Sequence, residues 1–514
     1  MSLIRRILAR AALAAAFAVA GGAAHADAAS EKAAAAVFND VAGNAASLRA
    51  FLQAMPKGGD LHNHLGGTPY AEDYLGRAAE AGMCVDASGL RLAQPPCPAE
   101  RTVGALAERQ PFAFARLVDS LSTRGVQQGV GADAVSGHGQ FFSSFEKFGP
   151  AYQLDGPLWQ VIARKSAARD NVSYLELMHM PPVVGEYIRG GGTGPLTEVD
   201  LSQVLERESA ALGPVLDTAV AELDREEAAT LKLMRCGTDA ADAACSVTVR
   251  YLGFALRGLP PVQVFRSLIG GFALADRDPR VLGVNIVMPE DDPVALRDYR
   301  LHMAMYRLLK AKYPKVRLTM HAGEMALGLV PPEALRDHIA QAVAAGAERI
   351  GHGTDIAYED AALQTMATMA AKGIAVEVNL TSNAVILGVS GGEHPIQLYR
   401  RMGVPVVLST DDMGVLRSDM TNEYRRAVME QGLTYLELKQ LARASLEHAF
   451  VPGSSLWRDR SLGTPVAVCA RSLADAACRS LLDGNDKARL QADLEARFDR
   501  FEHSLAPFLH NRNS

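Results

Sequence analysis

Short apolar runs alternate along the chain with longer stretches in which apolar residues recur every three or four positions. The runs fall at residues 59–64, 172–178, 249–256, 281–287, 316–322, 349–353, 374–380 and 404–411. Several are nearly continuous in Val, Ile and Leu, as strands buried on both faces of a parallel sheet are. The intervening stretches carry the period of amphipathic helices. Eight strands alternating with helices predict a parallel α/β sheet, and eight is the number that closes a (β/α)8 TIM barrel. An open doubly wound sheet is the structural alternative. It finds no support in motifs, because no G-x-G-x-x-G follows the first run and no G-x-x-x-x-G-K-[ST] occurs.

The spacing is uneven. Residues 65–171 exceed what a single crossover helix needs, and they carry Cys84, Cys97 and the run Gly139-Gln140-Phe141-Phe142-Ser143-Ser144-Phe145. A second expansion, residues 179–248, contains Glu222, Asp224, Glu226 and Glu227, which read as a solvated helix face. Near the C-terminus Leu490, Leu494, Phe498, Phe501 and Leu505 recur at helical spacing, predicting an amphipathic extension packed on the body. The chain therefore reads as one elaborated barrel domain over 27–514, with insertions after strands 1 and 2 and a C-terminal helical extension.

The first 26 residues stand apart. Arg5, Arg6 and Arg10 precede an apolar stretch over 11–24, and Ala24 and Ala26 are the small residues a signal peptidase reads. The apolar stretch is shorter than the roughly 20 residues a membrane span needs. We therefore expect a signal peptide over 1–26, cleaved after about Ala26, and a periplasmic or secreted mature protein with no membrane attachment. The Arg5-Arg6 pair leaves the general and twin-arginine routes both open. Six cysteines fall into three near neighbours, Cys84 with Cys97, Cys236 with Cys245 and Cys469 with Cys478. None forms a C-x-x-C pair, which argues against a zinc ribbon or a thioredoxin-like site. In an oxidising compartment the short-range pairing would close three small loops; six scattered thiols are the alternative. A formal net charge of −6 leaves no basic footprint for nucleic acid or an anionic membrane.

Candidate chemistry concentrates where apolar runs end. His62 and His64 lie two apart in LHNHL, so both imidazoles project from the same face of the first strand. The fifth run ends in Met320-His321-Ala322-Gly323-Glu324, the sixth in Gly351-His352-Gly353-Thr354, and the eighth in Ser409-Thr410-Asp411-Asp412. In a barrel these ends share the catalytic face. Three histidines and a carboxylate, with one position open to water, suit a catalytic Zn2+. Glu176 and His179 end the second strand and read equally as pocket-lining or structural residues, Asp412 reads also as a helix N-cap, and His394 and His448 read as packing or loop residues.

MPKGGDLHNHL, HAGE, GHGT and STDD, in this order and spacing, resemble the adenosine deaminase family of the amidohydrolase superfamily. The likeness runs from about residue 50 to 450. The signal peptide, the long first insertion and FFSSFEKF are similar to its secreted, growth-factor-type branch, which often dimerises; a homodimer is thus one assembly open to the chain. The resemblance implies one zinc ion per chain held by His62, His64, His321 and Asp411. It further implies Glu324 as the acid that protonates purine N1 and His352 as the residue that orients water for attack at C6. Asp412, Met288 and Gly323 are implied at the substrate. The small-molecule substrate implied is adenosine or 2′-deoxyadenosine, released as inosine or deoxyinosine plus ammonia. Another aminopurine, a different hydrolysis on the same barrel, and a secreted binding protein with a vestigial site stay open. Gly66 departs from the aspartate that contacts ribose in compact members, Met288 from a glycine, and Met413 from a proline.

Overall fold

Apolar runs buried on both faces form the expected parallel strands in the computed structural model, which describes residues 28–126, 136–458 and 461–510. The expected signal peptide lies outside the described residues. The strands are β1 (Gly58–His64), β2 (Val172–Met178), β3 (Thr248–Leu256), β4 (Val281–Val287), β5 (Arg317–Ala322), β6 (Arg349–His352), β7 (Ala375–Val378) and β8 (Val406–Leu408). Each pairs in parallel with the next in one eight-stranded sheet. A bridge between Asn63 and Asp411 brings the last strand's continuation back to the first. The Asp411 N–H donates to the His62 carbonyl at 2.9 Å and the His64 N–H to the Asp411 carbonyl at 3.2 Å. The architecture is the (β/α)8 barrel.

Two strands are shorter than expected. The run 374–380 passes without a break into the helix Leu380–Ile386, and 404–411 leaves the ladder after Leu408. Beneath the catalytic end the barrel is filled by a polar layer rather than aliphatic side chains alone. The buried Arg349 guanidinium donates through Nη2 to Glu176 at 2.6 Å and through Nε to Glu377. Glu176 also accepts from the Tyr174 hydroxyl at 2.9 Å and the Phe450 N–H at 2.6 Å. Glu176 is thus a structural carboxylate of the barrel interior.

Among the described residues, the first insertion builds five α-helices, ending with Gly137–Tyr152 and Gly156–Arg169. The second builds the long helix Gly213–Leu233. Its acidic run is not simply a solvated face. Glu226 is part-buried against His179, with Nε2···Oε2 at 2.9 Å, and Glu222 accepts from the Val183 N–H at 3.1 Å. The run sits where this helix docks on the body, while Asp224 stays exposed. The C-terminal helix Asp486–His510 buries Leu494, Phe498 and Phe501 and packs on the helix Ala28–Val41. Lys439, buried between them, donates to Glu502 at 2.6 Å and Glu31 at 2.7 Å. All six cysteines are bridged in the short-range pairing, Cys84–Cys97, Cys236–Cys245 and Cys469–Cys478.

Candidate active site and metal centre

β1, β5 and the segment after β8 bring His62, His64, His321 and Asp411 together, with one donor atom of each within 4.8 Å of the others. His64 Nε2 lies 3.1 Å and His62 Nε2 3.4 Å from Asp411 Oδ1, and His62 Nε2 is 3.1 Å from His321 Nε2. The outer nitrogens of two rings are fixed by their partners. His62 Nδ1 faces a Glu377 carboxylate oxygen at 2.7 Å, so it carries the proton. His321 Nδ1 faces Asn285 Oδ1 at 3.0 Å, an oxygen already accepting the backbone N–H groups of Ile286 and His321. It too must donate. Both rings then turn an Nε2 lone pair inward, as metal-bound imidazoles do when an outer partner holds the other nitrogen. Two such lone pairs 3.1 Å apart suit a cation between them, and three imidazoles with one carboxylate suit Zn2+. The residues present fit the metal.

Glu324 and His352 sit against this centre, with His352 Nε2 3.6 Å from Glu324 Oε1 and 4.0 Å from Asp411 Oδ2. Burial, with the Asp411 charge beside it, pushes Glu324 well above the usual carboxyl range. Burial holds His352 neutral, its pKa down at about 3. Asp412 is buried and, among the described residues, its Oδ1 has no hydrogen-bond partner and it caps no helix N-terminus. It packs so closely on Gly67 that a Cβ there would lie 1.7 Å from Oδ1. Met288, His352 and Asp411 take left-handed φ values of 85°, 66° and 58° although none is glycine. Such strain gathers at functional sites because the surrounding structure has to hold it. Met288 is part-exposed and lies over Gly258. The Gly323 N–H is committed to Glu290 Oε1 at 3.2 Å, and its carbonyl to the N–H groups of Thr354 and Asp355.

Several supporting residues escaped the sequence reading. The buried carboxylate of Glu290 receives the N–H groups of Gly323 and Glu324, at 3.2 and 2.9 Å, and His338 Nδ1 at 2.7 Å. Arg257 Nη1 lies 3.5 Å away. Burial alone would raise Glu290, but Arg257 and His338 outweigh it and hold its pKa at about 2. Asn383 and His394 stand behind His352. A Cβ on Gly66 would meet the Tyr152 ring at 3.7 Å, and the Tyr152 hydroxyl lies 3.5 Å from His179 Nδ1. His448 lies away from the centre, its carbonyl accepting from Arg349 at 2.9 Å.

A family model described as adenosine deaminase matches residues 161–456, more than half of the chain. The chain belongs to the adenosine deaminase family. The match takes in His321, Glu324, His352, Asp411 and Asp412 but starts after His62 and His64, which the barrel geometry supplies. An adenosine deaminase of Shewanella loihica is 35% identical over 153 residues, 29% of this chain and 43% of that one. An adenosine deaminase of Erwinia tasmaniensis is 31% identical over 216 residues, 42% of this chain and 59% of that one. The chain thus spans about half the length of the curated relatives it matches. Among solved structures, a zinc-bound amidohydrolase from Burkholderia ambifaria is 18% identical, with a TM-score of 0.48, covering 90% of this chain and 95% of that one. An N6-mAMP deaminase of Arabidopsis is 20% identical, with a TM-score of 0.47, over 78% of this chain and 95% of that one.

Proposed function

We propose that the protein is a zinc-dependent hydrolase that converts adenosine or 2′-deoxyadenosine, with water, to inosine or deoxyinosine and ammonia. The observation that carries this reading is the convergence of His62, His64, His321 and Asp411 with Glu324 and His352 at one face of the barrel. A bound zinc ion supplies an activated water, lowering its pKa from about 15.7 toward about 7. The chain's own groups do the rest. Glu324, kept as the acid by burial, gives its proton to purine N1 and makes C6 electrophilic. His352 holds the attacking water on the C6 side. Asp412, with Oδ1 free for a ligand, meets N7. As the water oxygen bonds to C6, one of its protons passes to the amino group and the other restores Glu324, the C6–N bond breaks, and the amino group leaves as ammonia. The complete ligand set and acid weigh against a vestigial site.

A second reading within the same chemistry is favoured by one observation. At Gly66 no side chain reaches toward a sugar, and the Tyr152 ring occupies that side. An aminopurine with a substituent other than plain ribose at N9 suits such a wall. The three bridges and the segment 1–26 support export to the periplasm or beyond. The decisive experiment is ammonia release by purified, zinc-loaded protein across adenosine, 2′-deoxyadenosine, adenine and N6-substituted adenines. Release from adenosine that vanishes in Glu324→Gln is the expected result. Release only from another member of the panel would replace the adenosine reading with the second one.

A further inference from the structure

The residue least constrained by the metal is His352, and a chain of hydrogen bonds behind it settles which of its nitrogens carries the proton. The chain starts at a donor whose identity is beyond choice, the backbone N–H of Ile396, which donates to His394 Nδ1 at 3.2 Å. His394 is buried, and burial lowers its pKa to about 4, so the ring is neutral. With Nδ1 accepting, its proton sits on Nε2 and is donated to Asn383 Oδ1 at 3.0 Å. That orients the Asn383 amide and turns Nδ2 to His352 Nδ1, also at 3.0 Å. Asn379 Nδ2 lies 3.4 Å from the same nitrogen. His352 Nδ1 is surrounded by donors and can only accept. Its proton therefore sits on Nε2, which is buried inside the centre with no hydrogen-bond partner among the described residues.

We infer that His394 and Asn383 are positioning residues that fix His352 as its Nε2–H tautomer, so that it enters the site as a donor and not as a metal ligand. The contrast with the metal histidines is direct. His62 and His321 meet acceptors on the outside and turn lone pairs inward, whereas His352 meets donors outside and turns an N–H inward. An inward N–H on His352 is incompatible with the alternative donor set of His321, Glu324 and His352, whose atoms also lie close enough for a metal. An inward N–H holds the oxygen of a water through one of its lone pairs, leaving another to attack carbon. The inward N–H is a statement about this chain alone; its use in catalysis rests on the deaminase reading above.

The test is a long-range 1H–15N correlation spectrum of the zinc-loaded protein labelled with 15N-histidine, with the His352 signals assigned by their loss in His352→Gln. We expect a protonated Nε2 and an unprotonated Nδ1 in the wild type. Asn383→Asp keeps the shape but presents an acceptor to Nδ1, so the proton should move there. His394→Gln can both accept from Ile396 and donate to Asn383, so it should preserve the wild-type tautomer, whereas His394→Leu should not. If turnover is measurable, Asn383→Asp should lower kcat about a hundredfold, with KM within about twofold, and His394→Gln should stay near wild type. A wild-type His352 protonated at Nδ1, or an Asn383→Asp spectrum unchanged from wild type, overturns the inference. The wild-type spectrum decides even if the Asn383 variant fails to fold. The expected tautomers in a protein inactive on every purine would overturn the functional reading and leave this one standing.

Discussion

Glu290 is a buried carboxylate, and what offsets its lost hydration is a ring of donors. Its folded pKa of about 2 lies below the 4.5 of an unperturbed glutamate. The sign follows from linkage: the stabilisation is fully present above about pH 4.5 and is lost as the pH falls toward 2. Its size is on the order of 3 kcal/mol. Denaturant titrations of Glu290→Gln should show a deficit against wild type that is largest above pH 5 and shrinks below it. A deficit that does not change with pH would mean the carboxylate is not held ionised. Residue identity at the metal is sharper still. Zinc measured per chain should fall from one to near zero in His321→Ala and Asp411→Ala but persist in His352→Gln. Retention in His321→Ala would displace the proposed ligand set. The ligands, Glu324 and His352 were legible because each closes an apolar run, where a polar cluster has no packing reason to be. Glu290, Asn383 and His394 carry no such mark. Each is one polar residue among others, and only the fold brings it behind the residue it serves.

The helix Gly137–Tyr152 is the element that joins the first insertion to the site. Its start is wedged against the helix Leu380–Ile386 that follows β7, where a Cβ on Gly137 would lie 2.0 Å from the Val385 carbonyl. His138 Nε2 reaches Asp291, beyond β4, at 3.0 Å, and at the other end Tyr152 abuts Gly66, beyond β1. Anchored to the segments that follow three strands, the helix crosses the catalytic face. Losing a partly exposed hydrogen bond of this kind costs about 1 kcal/mol, a change of about fivefold. We expect His138→Ala to raise KM for the best substrate by that amount with a smaller change in kcat. A fall in kcat alone would mean that the pair acts on chemistry rather than on entry. Element boundaries were less legible than element order. In 374–380 the apolar run spans a strand end and a helix start, and periodicity cannot separate the two in so short a run. The acidic run of Gly213–Leu233 misled for a related reason. Charge pattern reports what a face could tolerate in water, and here the insertion docks that face on His179.

At the scale of the whole molecule, a metal-binding barrel carries peripheral elaborations, and each disulfide lies in one of them. Cys84–Cys97 closes part of the first insertion, Cys236–Cys245 follows the long helix of the second, and Cys469–Cys478 lies in the C-terminal extension. The barrel was legible because eight buried strands leave eight apolar runs. The elaborations were legible only as length and cysteine spacing, since their packing depends on surfaces they do not themselves encode. The residues grouped to hold a metal come from β1, β5 and the segment after β8, all outside the bridged loops. Closing a loop of about ten residues restricts the unfolded chain by about 3 kcal/mol per bridge, so the bridges stabilise the elaborations without shaping the centre. Replacing each pair by serine should therefore lower the thermal midpoint while leaving one zinc per chain and wild-type turnover at 25 °C. Limited proteolysis should cut first within the unbridged segment. If any pair's loss releases zinc before the barrel unfolds, that elaboration supports the metal centre, and the division between barrel and periphery drawn here is wrong.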